Sequence, residues 1–167
     1  MTYRGIAYRL CLVLAGTLIL TACATTKKEN TSTTTQTQPG GPVPGSEEDL
    51  VVNVGDRVFF DYDRYDLKDE GKQTLQRQAA WMKMHPEVSV TIEGHCDERG
   101  TREYNLALGS RRATSAKDYL VSLGVDAGRV STISYGKERP VCVESTESCW
   151  SINRRAVTVV NKPGATS

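Results

Sequence analysis

The chain has 167 residues, with 21 lysines and arginines against 20 aspartates and glutamates and a formal charge of +1. So even a balance supplies no field for non-specific nucleic-acid binding. Apolar side chains make up 38% and charged ones 25%, the make-up of a globular domain rather than of an unfolded or wholly membrane-embedded chain.

Arg4 and Arg9 lead into Leu10 to Leu20, an almost wholly apolar run of eleven residues. A bilayer crossing needs about 20 residues, so this run reads as the core of a signal peptide. It ends in Leu20-Thr21-Ala22-Cys23, which resembles the lipobox of bacterial lipoproteins. The resemblance implies a signal over residues 1–22, cleavage before Cys23, and lipid on the Cys23 thiol and its new amine. Ala24 is not aspartate, which in enterobacterial-type sorting implies retention in the outer membrane. Loss of Arg4 and Arg9 takes the 21 basic side chains to 19 against 20 acidic ones, so the mature chain stays near neutral.

Residues 24–46 are mostly Thr, Ser, Gln, Pro, Gly and Lys. Such a segment cannot bury enough apolar surface to offset its ordering entropy. With the lipidated Cys23 it is expected to form a disordered tether over residues 23–48, of roughly 25–30 Å r.m.s. span. One folded domain is expected over residues 49–162, followed by a tail at 163–167.

Within the domain, Leu50 to Val54 reads as a strand partner or a packed arm, and Asp56 to Asp61 as a strand, since Val58, Phe59 and Phe60 favour extended backbone. Lys68 to His85 reads as a helix with Leu75, Ala79 and Met82 on one face, stopped by Pro86. Val88 to Glu93 alternates like a half-buried strand, and Gly94 to Gly100 is a polar loop. Thr101 to Leu123 reads as a second helix closed by Gly124. Val130 to Tyr135 is a strand, Glu144 to Ile152 has room for a helical turn, and Ala156 to Asn161 is a last strand. The order β-α-β-α-β-β predicts an α+β two-layer sandwich with both helices on one face of the sheet.

Export places the cysteines in an oxidising compartment. Cys142 and Cys149 flank a short polar loop, where a disulfide would contribute roughly 2.5 kcal/mol in the chain-entropy model. Cys96 is then left as a small buried residue.

The second helix breaks its own apolar stripe. Asn105, Leu108 and Arg112 share the face that continues through Ala116, Tyr119, Leu120 and Leu123. An arginine there is expected to need an anionic partner, and its planar fork suits a carboxylate. The preceding loop supplies Asp97 and Glu98, and Asp97 lies fifteen residues before Arg112. An acceptor and a donor side by side would match a zwitterion; the same pair would equally make a plain structural salt bridge.

Longer blocks carry more information. Phe60-Asp61-Tyr62-Asp63, Ile92 to Thr101 (IEGHCDERGT), Tyr104 to Ala113 (YNLALGSRRA), Tyr135 to Pro140 (YGKERP) and Asn153 to Val157 (NRRAV) resemble the signature blocks of the OmpA-like domain family. They are most similar to its lipid-anchored members that work with the Tol proteins. The resemblance implies an OmpA-like sandwich on a mixed sheet that binds the meso-diaminopimelate of the peptidoglycan stem peptide and catalyses nothing. In that reading Asp97 accepts from the ligand ammonium and Arg112 clamps its carboxylate. Asn105 and Leu108 line the pocket, Thr101 and Tyr104 reach the ligand from the helix start, and Phe60, Asp61 and Asp63 close the opposite wall. Glu98 and Arg99 match the loop of the Tol-linked members. It also implies TolB and other Tol proteins as partners, the outer membrane as the anchoring surface through Cys23, and no cofactor. Gly109 stands where many members have serine, and Cys96 where threonine or alanine is common. The Cys142–Cys149 loop is variable in the family and receives no binding role.

Three rival readings compete with this one. Glu93 and Asp97 as a glycosidase pair fail because their spacing across a strand end fixes no separation, and no nucleophile with a base is evident. His95, Cys96, Cys142 and Cys149 fit no common zinc spacing. A stator protein or porin would need a membrane helix or barrel upstream, which leaves another OmpA-like wall-binding lipoprotein, such as a secretion-system accessory, as the alternative.

Overall fold

The computed structural model describes residues 41–161. The signal peptide, Cys23, the tether up to residue 40 and the tail lie outside the described residues, whereas Glu47 and Glu48, at the end of the expected tether, already belong to α1. The elements are α1 (Glu47–Asp49, running on as a wide helical turn through Leu50–Val54), β1 (Arg57–Phe59), α2 (Asp69–Met84), β2 (Val90–His95), α3 (Arg102–Ser122), β3 (Val130–Gly136), α4 (Glu147–Asn153) and β4 (Arg155–Val160).

The sheet order is β1-β4-β2-β3. β2 and β3 run parallel, and β4 is antiparallel to both β1 and β2. This is the expected α+β sandwich on a mixed sheet, and α2 and α3 cover one face of it. Leu75, Ala79 and Met82 of α2 and Ala113, Ala116 and Leu120 of α3 pack with Val58, Val90, Ile92, Val130 and Ala156 of the sheet.

Sequence and structure part at three places. Leu50 to Val54 is helical and not a strand. Its valines favour extended chain, but Ser46 caps the turn by accepting from the Asp49 amide at 3.1 Å, and Gly55, at φ +95°, ends it. The first strand shrinks to three residues. β2 begins and ends two residues later than its alternation predicts, because the Val88 amide closes a turn onto the His85 carbonyl and Gly94 and His95 continue the ladder onto β3 through a bulge.

That continuation positions the site. A Cβ on Gly94 would overlap the carbonyl oxygen of Gly109, so α3 rests backbone to backbone on the end of β2. The loop leaving β2 therefore emerges beside the first turns of α3. Gly109 faces Ser134, whose hydroxyl fills the space a side chain at 109 would occupy and donates to the Leu106 carbonyl at 2.7 Å.

Candidate functional site

Thr101 starts α3 by accepting the Tyr104 amide on its hydroxyl at 3.2 Å, an N-cap that satisfies a free helix-end N–H. Asn105, one turn in, folds the loop back: its Nδ2 donates to the carbonyls of Arg99 at 2.7 Å and Thr101 at 3.0 Å. Lys137, just past β3, donates to the carbonyls of Glu98 at 3.0 Å and Gly100 at 2.7 Å. Gly100 has φ +88°, which only glycine adopts without strain. Residues 96–101 are thus clamped from both sides over the helix start.

Under this loop lies a cavity of about 200 Å³, lined by Tyr62, Asp63, Cys96, Asp97, Arg99, Gly100, Tyr104, Asn105, Leu108 and Arg112. Seven predicted residues are brought together there: Asp63, Asp97, Arg99, Tyr104, Asn105, Leu108 and Arg112.

Arg112 is 1% exposed, and burial pulls its guanidinium down from the usual arginine range while leaving it a cation. The expected anionic partner is not what satisfies it. Nε donates to the Arg64 carbonyl at 2.8 Å, Nη1 to that of His95 at 2.8 Å and Nη2 to that of Asp61 at 3.1 Å. Backbone carbonyls carry partial negative charge, and here two from the β1–α2 loop and one from the end of β2 converge on the planar fork. Three of its five N–H donors go to these carbonyls, and the Cys96 thiol also lies within hydrogen-bonding reach of the guanidinium.

Asp97 does not bond Arg112, so the structural salt bridge between them is absent. Its carboxylate is 4% exposed and takes four donors. The Arg99 amide (3.1 Å) and Nε (3.2 Å) reach one oxygen; Arg99 Nη2 (2.6 Å) and Arg154 Nη1 (3.3 Å) reach the other. Burial pushes this carboxyl up, but the hydrogen bonds from Arg99 and then Arg154 outweigh it and hold it below the usual range. Asp63 sits opposite at φ +54° and accepts from the Tyr104 hydroxyl. That bond, foremost, raises the Tyr104 hydroxyl above its ordinary value.

Four predicted residues do not line the cavity. Phe60 lies behind it, its ring 5.2 Å from the Arg112 guanidinium. Asp61 serves through its carbonyl, while its carboxylate pairs with Lys68 at 3.1 Å. Thr101 is spent on the helix cap. Glu98 turns outward to accept from Trp150 Nε1 at 2.9 Å. Sequence reasoning missed Tyr62, Gly100 and Arg154, although all three stood inside the motif blocks; it also missed Trp150. Cys96 is buried as expected, its thiol pushed up to about 11 chiefly by burial. The ring of His95 packs on Tyr135 at 5.6 Å and is held neutral, down to about 4, by burial and then by Arg155 and Arg139.

The segment between β3 and β4, given no role from sequence, abuts this site. Cys142 and Cys149 are disulfide-bonded with Cα atoms 5.1 Å apart. Asn153 accepts from the amides of Val141 and Cys142 at 2.9 and 3.2 Å and donates to the Cys142 carbonyl at 2.6 Å. Glu147 accepts from Arg154 at 2.6 Å.

Known proteins resemble this chain in sequence and fold. The model of the OmpA family matches residues 59–154. The peptidoglycan-associated lipoprotein of Rhizobium meliloti is 52% identical over 155 residues, 92% of this chain and 88% of its own. That of Pasteurella multocida is 42% identical over 149 residues, 87% of this chain and 93% of its own. The crystal structure of the peptidoglycan-associated lipoprotein from Burkholderia pseudomallei superposes with a TM-score of 0.62 at 42% identity, over 64% of this chain and 90% of that one. The C-terminal domain of Helicobacter pylori MotB, at 19% identity and a TM-score of 0.61 over 65% of this chain and 86% of its own, shares the fold alone. With the family model matching residues 59–154 and relatives 52% and 42% identical along 92% and 87% of it, the chain belongs to the OmpA family.

Proposed function

We propose that this domain binds peptidoglycan non-covalently through the diaminopimelate of the stem peptide, and that the chain tethers the outer membrane to the cell wall. The observation that carries the reading is one cavity lined both by Arg112, whose five N–H donors outnumber its three carbonyl bonds, and by Asp97 and Asp63. A zwitterionic carbon bears one group for each. The ligand carboxylate takes Arg112 donors that the three carbonyls leave. The ammonium takes an Asp97 oxygen in place of one of its present side-chain donors, and Asp63 adds negative charge on the facing wall. Asn105 and Leu108 shape the pocket floor, and no bond is made or broken.

Lipid on Cys23 supplies the other end. Two or three acyl chains, at about 0.8 kcal/mol per buried methylene, make an anchor that does not release. The wall contact is reversible, and many tethers on one polymer hold by avidity. The names of the relatives support this reading, and resemblance to the Tol-linked members supports TolB as a partner in the Tol–Pal system. Sedimentation with insoluble peptidoglycan tests it. The chain is expected to pellet with the wall, and Asp97→Asn to stay in the supernatant; if Asp97→Asn pellets normally, the site is misplaced. A pull-down that captures no TolB would move the chain to another wall-binding role.

A further inference from the structure

We propose that Trp150 is a positioning residue for the ligand pocket: carried on the disulfide-stapled α4, it fixes the plane of the Arg99 guanidinium and, through it, the Asp97 carboxylate. The proposal rests on the peptidoglycan reading above.

The Arg99 guanidinium lies between two rings, 4.0 Å from the centroid of Tyr62 and 4.1 Å from that of Trp150. A guanidinium held over aromatic faces keeps its edge free for hydrogen bonds. One edge of Arg99 is used: Nε and Nη2 bond Asp97. Its Nη1 donates to nothing among the described residues, and Arg99 lines the cavity. Two faces and one edge are therefore fixed; Nη2 also lies 3.8 Å from Glu147 Oε2, which leaves Nη1 as the donor for the carboxylate or a peptide carbonyl of the ligand.

Trp150 does not line that cavity. It touches the ligand loop twice, by stacking on Arg99 and by donating to Glu98. Its own place is set by α4, whose seven residues are too few to stay helical unaided. The helix is held by its Thr146 cap, by the Cys149–Cys142 bond one residue before Trp150, and by the three Asn153 bonds to the loop. From the far side Glu147 holds Arg154, the other arginine on Asp97.

Calorimetric titration of the whole oxidised chain with a soluble stem tripeptide ending in meso-diaminopimelate tests this. Trp150→Ala is expected to weaken binding about tenfold and Trp150→Phe, which keeps a flat face, to restore it to within about threefold. In an Arg99→Ala background Trp150→Ala is expected to cost at most about threefold more, through the Glu98 bond alone, since the part of its effect that runs through Arg99 is not additive. Wild-type affinity in Trp150→Ala, failure of phenylalanine to rescue, or full additivity with Arg99→Ala each overturns the positioning role. A wild-type chain that takes no stem peptide overturns the peptidoglycan reading and this proposal with it.

Discussion

Arg112, in the middle of α3, donates to the carbonyl of His95, the last residue of β2, at 2.8 Å. With its bonds to the carbonyls of Asp61 and Arg64, it ties helix, sheet and the β1–α2 loop to one cation.

Arg112→Ala is therefore expected to do two things: abolish sedimentation with peptidoglycan and leave three carbonyls without their donor, at a cost of about 2–4 kcal/mol. Arg112→Lys keeps the charge but cannot span three acceptors, so it should lose most binding and part of the stability. Urea melts beside the sedimentation assay check both. Unchanged stability in Arg112→Ala would mean that water replaces the guanidinium at no cost.

Asp49 gives a pH dependence. Its carboxyl is held down to about 2, first by Trp81 Nε1, at 2.8 Å, and then by Asn53 and the Gly45 amide. The folded value lies below the unfolded one near 3.8, so the stabilisation is complete above about pH 4 and is lost as pH falls through about 2. Asp49→Asn is expected to melt below the wild type at pH 7, with the gap closing between pH 4 and 2. Trp81 fluorescence is a local reporter of the same transition.

Removing the staple, as Cys142→Ser with Cys149→Ser, should cost about 2.5 kcal/mol by the chain-entropy model. Because α4 carries Trp150 and Glu147, stem-peptide affinity should fall in the same variant. Thermal melts and the titration separate the two effects; a stability loss with wild-type affinity would make the staple purely structural.

Cys96 is expected to resist alkylation. It is 3% exposed, its Sγ lies 3.3 Å from the Asn105 carbonyl, and its thiol is pushed up to about 11, so little thiolate exists at pH 8. Peptide mapping after maleimide treatment should show label at Cys96 only after denaturation.

What was legible in sequence was whatever one element decides alone. The Leu75, Ala79, Met82 face of α2 and the Asn105, Leu108, Arg112 face of α3 are periodic, and both are buried. Motif resemblance brought Asp97 and Arg112 to one cavity but not their partners. Arg154 meets Asp97 across 57 residues, and Trp150 meets Glu98 across 52; such pairs exist only once β4 is laid between β1 and β2. Of the strand partner and the packed arm that Leu50 to Val54 left open, the cap at Ser46 and the stop at Gly55 select the arm against valine propensity.

The N-terminal arm has a mechanical consequence. A chain tethered at its N-terminal end receives any pull between membrane and wall ahead of Glu47. The force does not arrive first at β1, whose three residues on a sheet edge would peel from β4 one bond at a time. It arrives at the arm, where Leu50 is wholly buried and Asp49 is tied at once to Trp81, Asn53 and Gly45. For a chain held at Cys23, the buried Leu50 and the Asp49–Trp81 bond are the first contacts of the described fold to bear load, ahead of any strand.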